Sequence, residues 1–254
     1  MGYSNDEQGK FIVSYNNKSE YLQSIRKMLT NKSKKYSQIG IIRDGKQIQL
    51  NDNILQKESE FYSSIRLKQV TEKGESQLDA IEKRGVSYTE VRILDINPFE
   101  RTGISLEQMY FLQVFMLFCL LEKSAFINQK ELNLINNNHN LIAISGRRKK
   151  LKLYRYTHGQ VLLEAWGQYI FNKLYQIAKV MDAADDSNKY MECVFSEFQK
   201  LKDKSLLPSN KIINEMKSKG ESYISFGIRK ALEYKNQNNM QNKIKDGIND
   251  VKGL

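Results

Sequence analysis

Apolar residues recur at intervals of three and four through the second half of the chain, which is the spacing of one helix face. Ser105 and Gln108 form the pattern of a capping box, and the following residues are apolar nearly all round, so a buried helix is predicted there. Residues 123–156 show no comparable period and are predicted to be irregular. Further helices are predicted at about residues 159–182, 191–201, 208–220 and 223–234.

The first half of the chain is richer in β-forming residues and turn signals. Asp44-Gly45 lies between two β-rich runs and predicts a tight hairpin. Residues 53–70 and 86–99 are predicted to be extended, and two short helices are predicted after Ser19 and between Ser76 and Gly85. Strands that come first and helices that follow favour an α+β fold over an alternating α/β fold. We therefore predict a strand-rich part at 1–104, a helical region packed on it at 105–235, and a frayed tail at 236–254.

The run VSYTEVRILDINPF, residues 86–99, places two opposite charges in an otherwise apolar extended segment. Alternate side chains of a strand share a face, so Glu90 and Arg92 are predicted to be neighbours, with Cα atoms about 7 Å apart. A carboxylate there can hold Mg²⁺, and a guanidinium can bind phosphate oxygens through two hydrogen bonds. The alternative is a same-face ion pair on a half-exposed sheet, which spacing alone does not exclude.

Composition narrows the classes of protein. A chain of 254 residues with 40% apolar residues is long enough for a substantial core. The net charge of +11 raises the possibility of nucleic-acid binding, with basic clusters at Lys32, Lys34 and Lys35 and at residues 147–150. No nucleic-acid motif accompanies these clusters, so a solvated basic face is the default and we predict no nucleic-acid partner.

The sequence predicts a cytoplasmic protein without a membrane segment. The longest apolar run, residues 109–121, is shorter than the roughly 20 residues that a bilayer requires, and residues 1–20 contain no apolar signal core. Cys119 and Cys193 lie in apolar helical patterns and are predicted to be buried free thiols. His139 and His158 have no Cys or carboxylate at a metal-binding spacing, and the chain contains no P-loop pattern.

Three segments together carry a resemblance to a known family. The run YTEVRILDINPF, the upstream run FYSSIRLKQVT and GYSN at residues 2–5 closely resemble bacterial glutamate-cysteine ligase (gamma-glutamylcysteine synthetase), whose pattern is near YxEVRxLDINPF. Their order and spacing fit from Gly2 to about Tyr234. The resemblance covers only the C-terminal half of that family's enzyme.

The resemblance implies a fold and a reaction. The fold would be part of a curved antiparallel sheet, like that of glutamine synthetase, followed by the helical C-terminal region. The reaction would be the ATP-dependent joining of L-glutamate to L-cysteine through a γ-glutamyl phosphate, the first step of glutathione biosynthesis. Such phosphoryl transfer depends mainly on positioning and on neutralising charge, which explains its need for Mg²⁺ and cationic side chains.

The resemblance also assigns residues to roles. Glu90 falls at a metal-ligand position, and Arg92 falls at the position that contacts the transferred phosphoryl group. Tyr3 and Tyr62 fall on tyrosines that line the cysteine pocket. Arg66 and Lys68 lie in the adjoining IRxK segment and are expected near the nucleotide. The alternatives are a disordered chain end for Tyr3, an ordinary packed strand aromatic for Tyr62, and a solvated strand face for the two cations.

Some positions depart from the family pattern. Where the family reads near YAPIRPKR, this chain has Ser64, Leu67 and Gln69 in place of two prolines and a basic residue. Where the family reads near NWNR, residues 138–141 are Asn, His, Asn and Leu. Loss of prolines loosens the segment that presents Arg66, and loss of basic residues could weaken contacts with ATP phosphates.

The resemblance implies that most Mg²⁺-binding carboxylates and much of the glutamate pocket lie in the N-terminal half. We therefore predict little ligase activity for this chain alone, and function within a longer chain or beside a separate N-terminal half. The alternatives are a degenerate remnant that folds poorly around an open sheet edge, and a basic binding module without catalysis.

Overall fold

A computed structural model describes residues 11–252, with side chains described to residue 238. The chain divides into two compact units. The first contains the chain up to Leu94, Ser124–Arg148 and Leu153–Gln160, and the second contains Asp95–Lys123, Lys149–Lys152 and the chain from Val161 onward.

Two helices form most of the core of the first unit. Helix α1, Lys18–Thr30, begins at the cap residue Asn17, whose side chain accepts a hydrogen bond from the Glu20 amide, so the cap lies two residues before the predicted Ser19. Helix α2, Lys34–Ile39, follows, and α3, Gln77–Arg84, has the predicted cap Ser76. The apolar faces of α1 and α3 pack around Leu55 and Phe61. The buried residues of this core are Tyr21, Leu22, Ile25, Met28, Ile54, Leu55, Phe61, Leu78 and Ile81.

The strands of this unit are shorter than the sequence predicts. The hairpin is confirmed: β1, Ile42–Arg43, pairs with β2, Lys46–Gln47, and both Asp44 and Gly45 have positive φ. Residues 53–70 contain a 3-10 turn, Glu58–Glu60, and one strand, β3, Ile65–Lys68. Of residues 86–99, β4 takes only Tyr88–Val91. The expectation of one long extended run in each segment is therefore wrong.

A helix replaces half of the stretch that is predicted to be irregular. Helix α5, Gln129–Ser145, is capped by the Asn128 side chain, which accepts from the Glu131 amide. Asn138 is buried, and its amide group donates to the Tyr154 carbonyl at 2.6 Å and accepts from the Tyr154 N–H at 2.9 Å. Strands β5, Lys152–Arg155, and β6, Gly159–Leu162, pair with each other.

Three helices form the core of the second unit. Helix α4, Leu106–Leu121, has the predicted capping box, because the Ser105 and Gln108 side chains satisfy each other's backbone amides. It packs with α6, Leu163–Asp185, and α7, Lys189–Lys202, around Val114, Leu174, Ala178, Tyr190 and Val194. The prediction of a fully buried α4 is wrong, since Leu120 and Leu121 are 79% and 65% exposed.

The last two helices follow a 3-10 turn, Lys204–Leu206. Helix α8, Pro208–Lys219, lies between Pro208 and Gly220 as predicted, and Gly220 has a left-handed conformation. Helix α9, Tyr223–Lys252, extends well beyond residue 234, where the pattern predicts its end, and so through most of residues 236–254. The helical backbone there contradicts an early end to this helix.

The helices and short antiparallel strands make this an α+β chain, as predicted. Within residues 11–252 the named strands form three separate two-stranded pairs, β1-β2, β3-β4 and β5-β6. No described helix is both long and apolar enough to span a bilayer.

Candidate functional site

The β3-β4 pair places the predicted charged residues on one face. Arg66 lies opposite Glu90 and Lys68 lies opposite Tyr88 in the antiparallel register. The Arg92 N–H donates to the Ser64 carbonyl at 2.8 Å, which extends the same ladder beyond both strands. Since bonded and non-bonded pairs alternate along such a ladder, Arg66 and Glu90 form a hydrogen-bonded pair. Arg66, Lys68, Glu90 and Arg92 therefore share a face, which we call the charged face.

Glu90 lies between two cations on this face. Its Oε2 atom is 3.9 Å from Lys68 Nζ and 3.8 Å from Arg92 Nη1. The three side chains are 25–39% exposed, so water and ligands can reach them. Arg66, opposite Glu90 in the register, adds a third cation to the same face. The charged face thus has positive charge in excess of its own anion, which suits it to bind an anionic ligand.

Arg66 is held at the edge of the charged face. Its guanidinium lies 5.7 Å from the centre of the Phe61 ring, and its Nη2 donates to the Ser59 carbonyl at 3.1 Å. Its Nε atom is buried and has no hydrogen-bond partner among the described residues. Burial, and then repulsion by Arg92, lowers the pKa of Arg66 from its usual value. An unsatisfied donor beside surplus positive charge favours an acceptor ligand here.

Arg66 and Lys68 also line a cleft of about 240 Å³ in the first unit. Its apolar wall includes Phe61, Leu78 and Ile81. This volume is smaller than the roughly 300–1,000 Å³ of complete small-molecule pockets. The cleft is thus too small to enclose a whole nucleotide.

The predicted cysteine-pocket residues have different outcomes. The Tyr62 ring lies 5.8 Å from the Arg92 guanidinium, within cation–π range, and Tyr62 is 48% exposed. Tyr62 is therefore next to the charged face and is not a buried packing residue. Tyr3 lies outside the described residues.

The outer edge of β3 carries two tyrosines that the sequence analysis did not single out as site residues. The Tyr15 hydroxyl donates to the Ile65 carbonyl at 2.6 Å, and the Tyr21 hydroxyl accepts from the Leu67 N–H at 3.3 Å. The two rings are 5.3 Å apart. These bonds join residues 50 and 46 positions apart. The only sequence signal was the place of Tyr21 in the apolar stripe of α1, which indicates burial and not this contact.

The departures from the family pattern have structural roles here. Leu67 packs partly buried against the core of the first unit. The Gln69 side chain donates to the Arg84 and Gly85 carbonyls at 3.3 and 3.1 Å, at the end of α3. Gln69 therefore supplies hydrogen-bond donors to the C-terminal end of α3, and its side chain is directed away from the charged face.

The donor set at Glu90 fits a metal ion only together with other ligands. No three His, Cys, Asp or Glu side chains cluster at metal-binding distance within the part of the chain whose side chains are described. Mg²⁺ commonly binds through one or two carboxylates together with substrate phosphates and water. A single carboxylate beside cations that are able to bind phosphate oxygens fits that mode, and it does not form a cage for a free ion.

Two features outside this face were also singled out from the sequence. Lys32 of the predicted basic cluster pairs with Asp52 at 3.1 Å. Both cysteines are free thiols, and Cys193 is buried as predicted, but Cys119 is exposed, so its predicted burial is wrong. Loss of contact with water around each sulfur raises the pKa of both thiols, which makes them weak nucleophiles.

Comparison with known proteins identifies the family. The family model of glutamate-cysteine ligase matches residues 1–142, more than half of the chain, so the chain belongs to the glutamate-cysteine ligase family. A glutamate-cysteine ligase of Clostridium acetobutylicum is 49% identical over 232 residues, which cover 91% of this chain and 48% of that protein. One from Pseudomonas putida strain W619 is 38% identical over 231 residues, 91% of this chain and 44% of that protein.

Solved structures agree with this assignment. The chain is similar to the glutamate-cysteine ligase of Francisella tularensis solved in complex with AMP, with a TM-score of 0.80 and 31% identity, over 91% of this chain and 45% of that one. A bifunctional glutathione synthetase of Pasteurella multocida shares the fold, with a TM-score of 0.60 at 21% identity. The chain thus spans about half the length of the curated relatives it matches.

Proposed function

We propose that this chain supplies the phosphate-binding face of a glutamate-cysteine ligase, an enzyme that joins L-glutamate to L-cysteine with ATP. The observation that carries this function is the arrangement of Arg66, Lys68 and Arg92 around the single carboxylate of Glu90. Transfer of the γ-phosphoryl group of ATP to the glutamate γ-carboxylate releases ADP and produces an acyl phosphate. Attack of the cysteine amine on this acyl phosphate then forms the amide bond and displaces inorganic phosphate. The demand on the protein is to place cations where negative charge accumulates.

Each residue has a role in this scheme. Arg92 lies beside Glu90 and contacts the transferred phosphoryl group, and Arg66 and Lys68 bind the remaining phosphate oxygens. Glu90 is the carboxylate that would hold Mg²⁺, whose chemistry when bound is to neutralise phosphate charge. Tyr62, within cation–π range of Arg92, and Tyr3 line the pocket for cysteine. A nucleotide role agrees with the AMP complex of the Francisella tularensis relative.

The remaining half of the ligase would complete the site. One carboxylate cannot balance an ATP tail and several metal ions, so further acidic residues must come from elsewhere. Because Leu67 and Thr89 form a non-hydrogen-bonded pair, the Thr89 backbone groups point away from β3, and no described residue hydrogen-bonds to them. This edge is where the predicted curved sheet would continue into the other half. We place the assembled enzyme in the cytoplasm, as the sequence predicts.

A coupled ADP-release assay tests this function. ATP, Mg²⁺, glutamate and cysteine are supplied to the chain alone, and to the chain mixed with the N-terminal half of the Clostridium acetobutylicum ligase. We expect ADP release that requires both amino acids in the mixture, and little from the chain alone. Glu90→Gln and Arg92→Ala should each lower kcat by about 100-fold or more, since each removes charge stabilisation at the reacting phosphate.

Matched variants separate this effect from lost stability. Arg26 and Glu82 form an exposed ion pair at 2.6 Å in the same unit, and Arg26→Ala and Glu82→Gln should leave kcat unchanged. A silent mixture of folded chains would reject catalysis. Salt-dependent binding of polyanions would then favour the basic binding module, and aggregation of the chain under all conditions would favour the degenerate remnant.

A further inference from the structure

Arg66 is flanked on the outer edge of β3 by two hydrogen-bonding groups that a neighbouring strand would normally satisfy. In an antiparallel sheet, a residue of a hydrogen-bonded pair directs its own N–H and C=O to the partner strand, so the carbonyl before it and the amide after it face the other edge. For Arg66 these groups are the Ile65 carbonyl and the Leu67 amide. Tyr15 binds the first at 2.6 Å and Tyr21 binds the second at 3.3 Å. The Ser63 hydroxyl also donates to the Ile65 carbonyl, at 2.6 Å. Two phenol hydroxyls and one serine hydroxyl thus take the place of a strand at this point.

The inner edge of β3 holds Arg66 as well. Arg66 and Glu90 form a hydrogen-bonded pair in the β3-β4 register, so the backbone of Arg66 is directed to β4. The peptide groups on both sides of Arg66 therefore form hydrogen bonds, to β4 on the inner edge of β3 and to side-chain hydroxyls, including those of the two tyrosines, on its outer edge. A two-stranded ribbon is marginally stable by itself, so these outward bonds restrict motion that β4 alone would allow.

The two tyrosines are themselves firmly placed. The Tyr21 side chain is buried on α1, 2% exposed, and burial raises its pKa to about 12. Tyr15 precedes α1 in a loop where Ser14, Asn16 and Asn17 all donate to the Glu20 carboxylate, at 2.5, 3.2 and 2.8 Å. Tyr15 is 44% exposed, and partial burial of its hydroxyl raises its pKa. As in ordinary tyrosines, whose pKa is about 10, both hydroxyls are protonated at neutral pH.

We propose that Tyr15 and Tyr21 are positioning residues that hold Arg66 against the charged face for binding of a phosphate chain. This role rests on the proposed function of the charged face. The tyrosines do not touch the bound phosphate, and they act through the backbone on either side of Arg66. Because phosphate binding by a guanidinium depends on the orientation of its planar fork, loss of either hydroxyl should weaken binding through Arg66 alone.

The test measures binding of inorganic tripolyphosphate to the full chain by calorimetry, so ligase activity is not needed. Arg66→Ala should weaken binding by about 10-fold, and Tyr15→Phe and Tyr21→Phe by about threefold each. In the Arg66→Ala background, either tyrosine substitution should have no further effect. The matched control is Tyr234→Phe, which removes a hydroxyl that donates to the Pro98 carbonyl at 2.9 Å in the second unit, and it should leave binding unchanged.

Hydrogen exchange provides the second measurement. The Leu67 amide should exchange at least about 10-fold faster in Tyr21→Phe and at an unchanged rate in Tyr234→Phe. The positioning role is rejected if the tyrosine effects persist in the Arg66→Ala background, if the unaltered chain does not bind tripolyphosphate, or if Leu67 exchange does not change. Absence of ADP release in the complemented ligase would reject the proposed function, while the binding and exchange results would still decide the role of the tyrosines.

Discussion

Arg66 and Glu90 face each other as a hydrogen-bonded pair across β3 and β4, so opposite charges from two distant segments share one surface. Lys68 and Arg92 add two more cations within 4 Å of the same Glu90 oxygen. These pairs are long and partly exposed, and contacts of this type add little to stability. The arrangement is therefore better explained by ligand binding than by a contribution to folding.

The first prediction concerns Glu90→Gln. Its effect on the free energy of unfolding should stay within about 1 kcal/mol, because the pairs it breaks are partly exposed. Its effect on ligand binding should be specific: ATP binding without Mg²⁺ should be maintained or strengthened, and stimulation by Mg²⁺ should disappear. Calorimetric titration of ATP with and without Mg²⁺ measures both. Glu82→Gln is the control, and persistent stimulation by Mg²⁺ in Glu90→Gln would remove Glu90 from the metal site.

The second prediction concerns the buried Asp182, which caps α7 from the end of α6. Its carboxylate accepts from the Tyr190 and Met191 amides at 3.0 and 2.8 Å and from the Ser187 hydroxyl at 2.9 Å. Asp182→Ala should lower the free energy of unfolding by about 2–3 kcal/mol, because it leaves buried amides without acceptors.

Urea denaturation of the second unit measures the effect of Asp182→Ala. The matched control is Asp203→Ala, since the exposed Asp203 caps a short 3-10 turn through the Ser205 amide at 2.9 Å. It should cost less than about 1 kcal/mol. Equal decreases in the free energy of unfolding would show that the buried cap stabilises the fold no more than the exposed cap does.

Local patterns in the sequence predicted several elements correctly. The Ser105 and Gln108 capping box and the Asp44-Gly45 hairpin depend on neighbouring residues, and both are present. Helix α5 was missed because its many asparagines interrupt the apolar period, while its fixing contact, between Asn138 and the Tyr154 backbone, joins distant residues. The exposure of Leu120 and Leu121 in α4 was missed because an apolar sequence does not show which other elements pack against a helix.

The charged face was predictable only in part. Strand alternation placed Glu90 and Arg92 together, and the resemblance added Arg66, Lys68 and Tyr62. The register that sets Arg66 opposite Glu90, and the Tyr15 and Tyr21 bonds on the other edge, are contacts between distant segments. No local pattern encodes such contacts, because they depend on how separate elements pack.

The third prediction concerns Glu75 and pH. Its carboxylate pairs with Arg84 and accepts from the Glu72 amide, which lowers its pKa from 4.5 to about 2. The folded state therefore binds fewer protons than the unfolded state between these pH values, so this contribution is complete above about pH 4.5 and is lost as the pH falls towards 2. Glu75→Gln should lower the Tm at pH 7, and its difference from the unaltered chain should shrink across that window.

Thermal unfolding followed between pH 7 and pH 2.5 checks the Glu75 contribution. Glu72→Gln is the control, because Glu72 contacts the same Arg84 at 3.5 Å but is 78% exposed. It should change the Tm little at any pH. A Glu75→Gln difference that stays constant with pH would assign the stabilisation to hydrogen bonding that does not require the charge.

The last prediction concerns Gln69, which stands where the family pattern has a basic residue. If a cation at this position contacts ATP phosphates, Gln69→Arg should strengthen nucleotide binding. The structure instead predicts little effect, because the Gln69 side chain donates to the last carbonyls of α3 and is directed away from the charged face. An arginine can bind the same carbonyls and complement the negative end of the helix dipole. Nucleotide affinity should therefore change less than about twofold.

Substitution of Gln69 should affect the free energy of unfolding more clearly than nucleotide affinity. Gln69→Arg should leave the free energy of unfolding unchanged or raise it by about 0.5 kcal/mol, and Gln69→Ala should lower it by about 1 kcal/mol, because two carbonyls lose a donor. Calorimetric ATP titration and urea denaturation of both variants measure the two effects separately. A several-fold gain in ATP affinity for Gln69→Arg would instead place this position within reach of the phosphates, and the glutamine would then be a true loss of a phosphate contact.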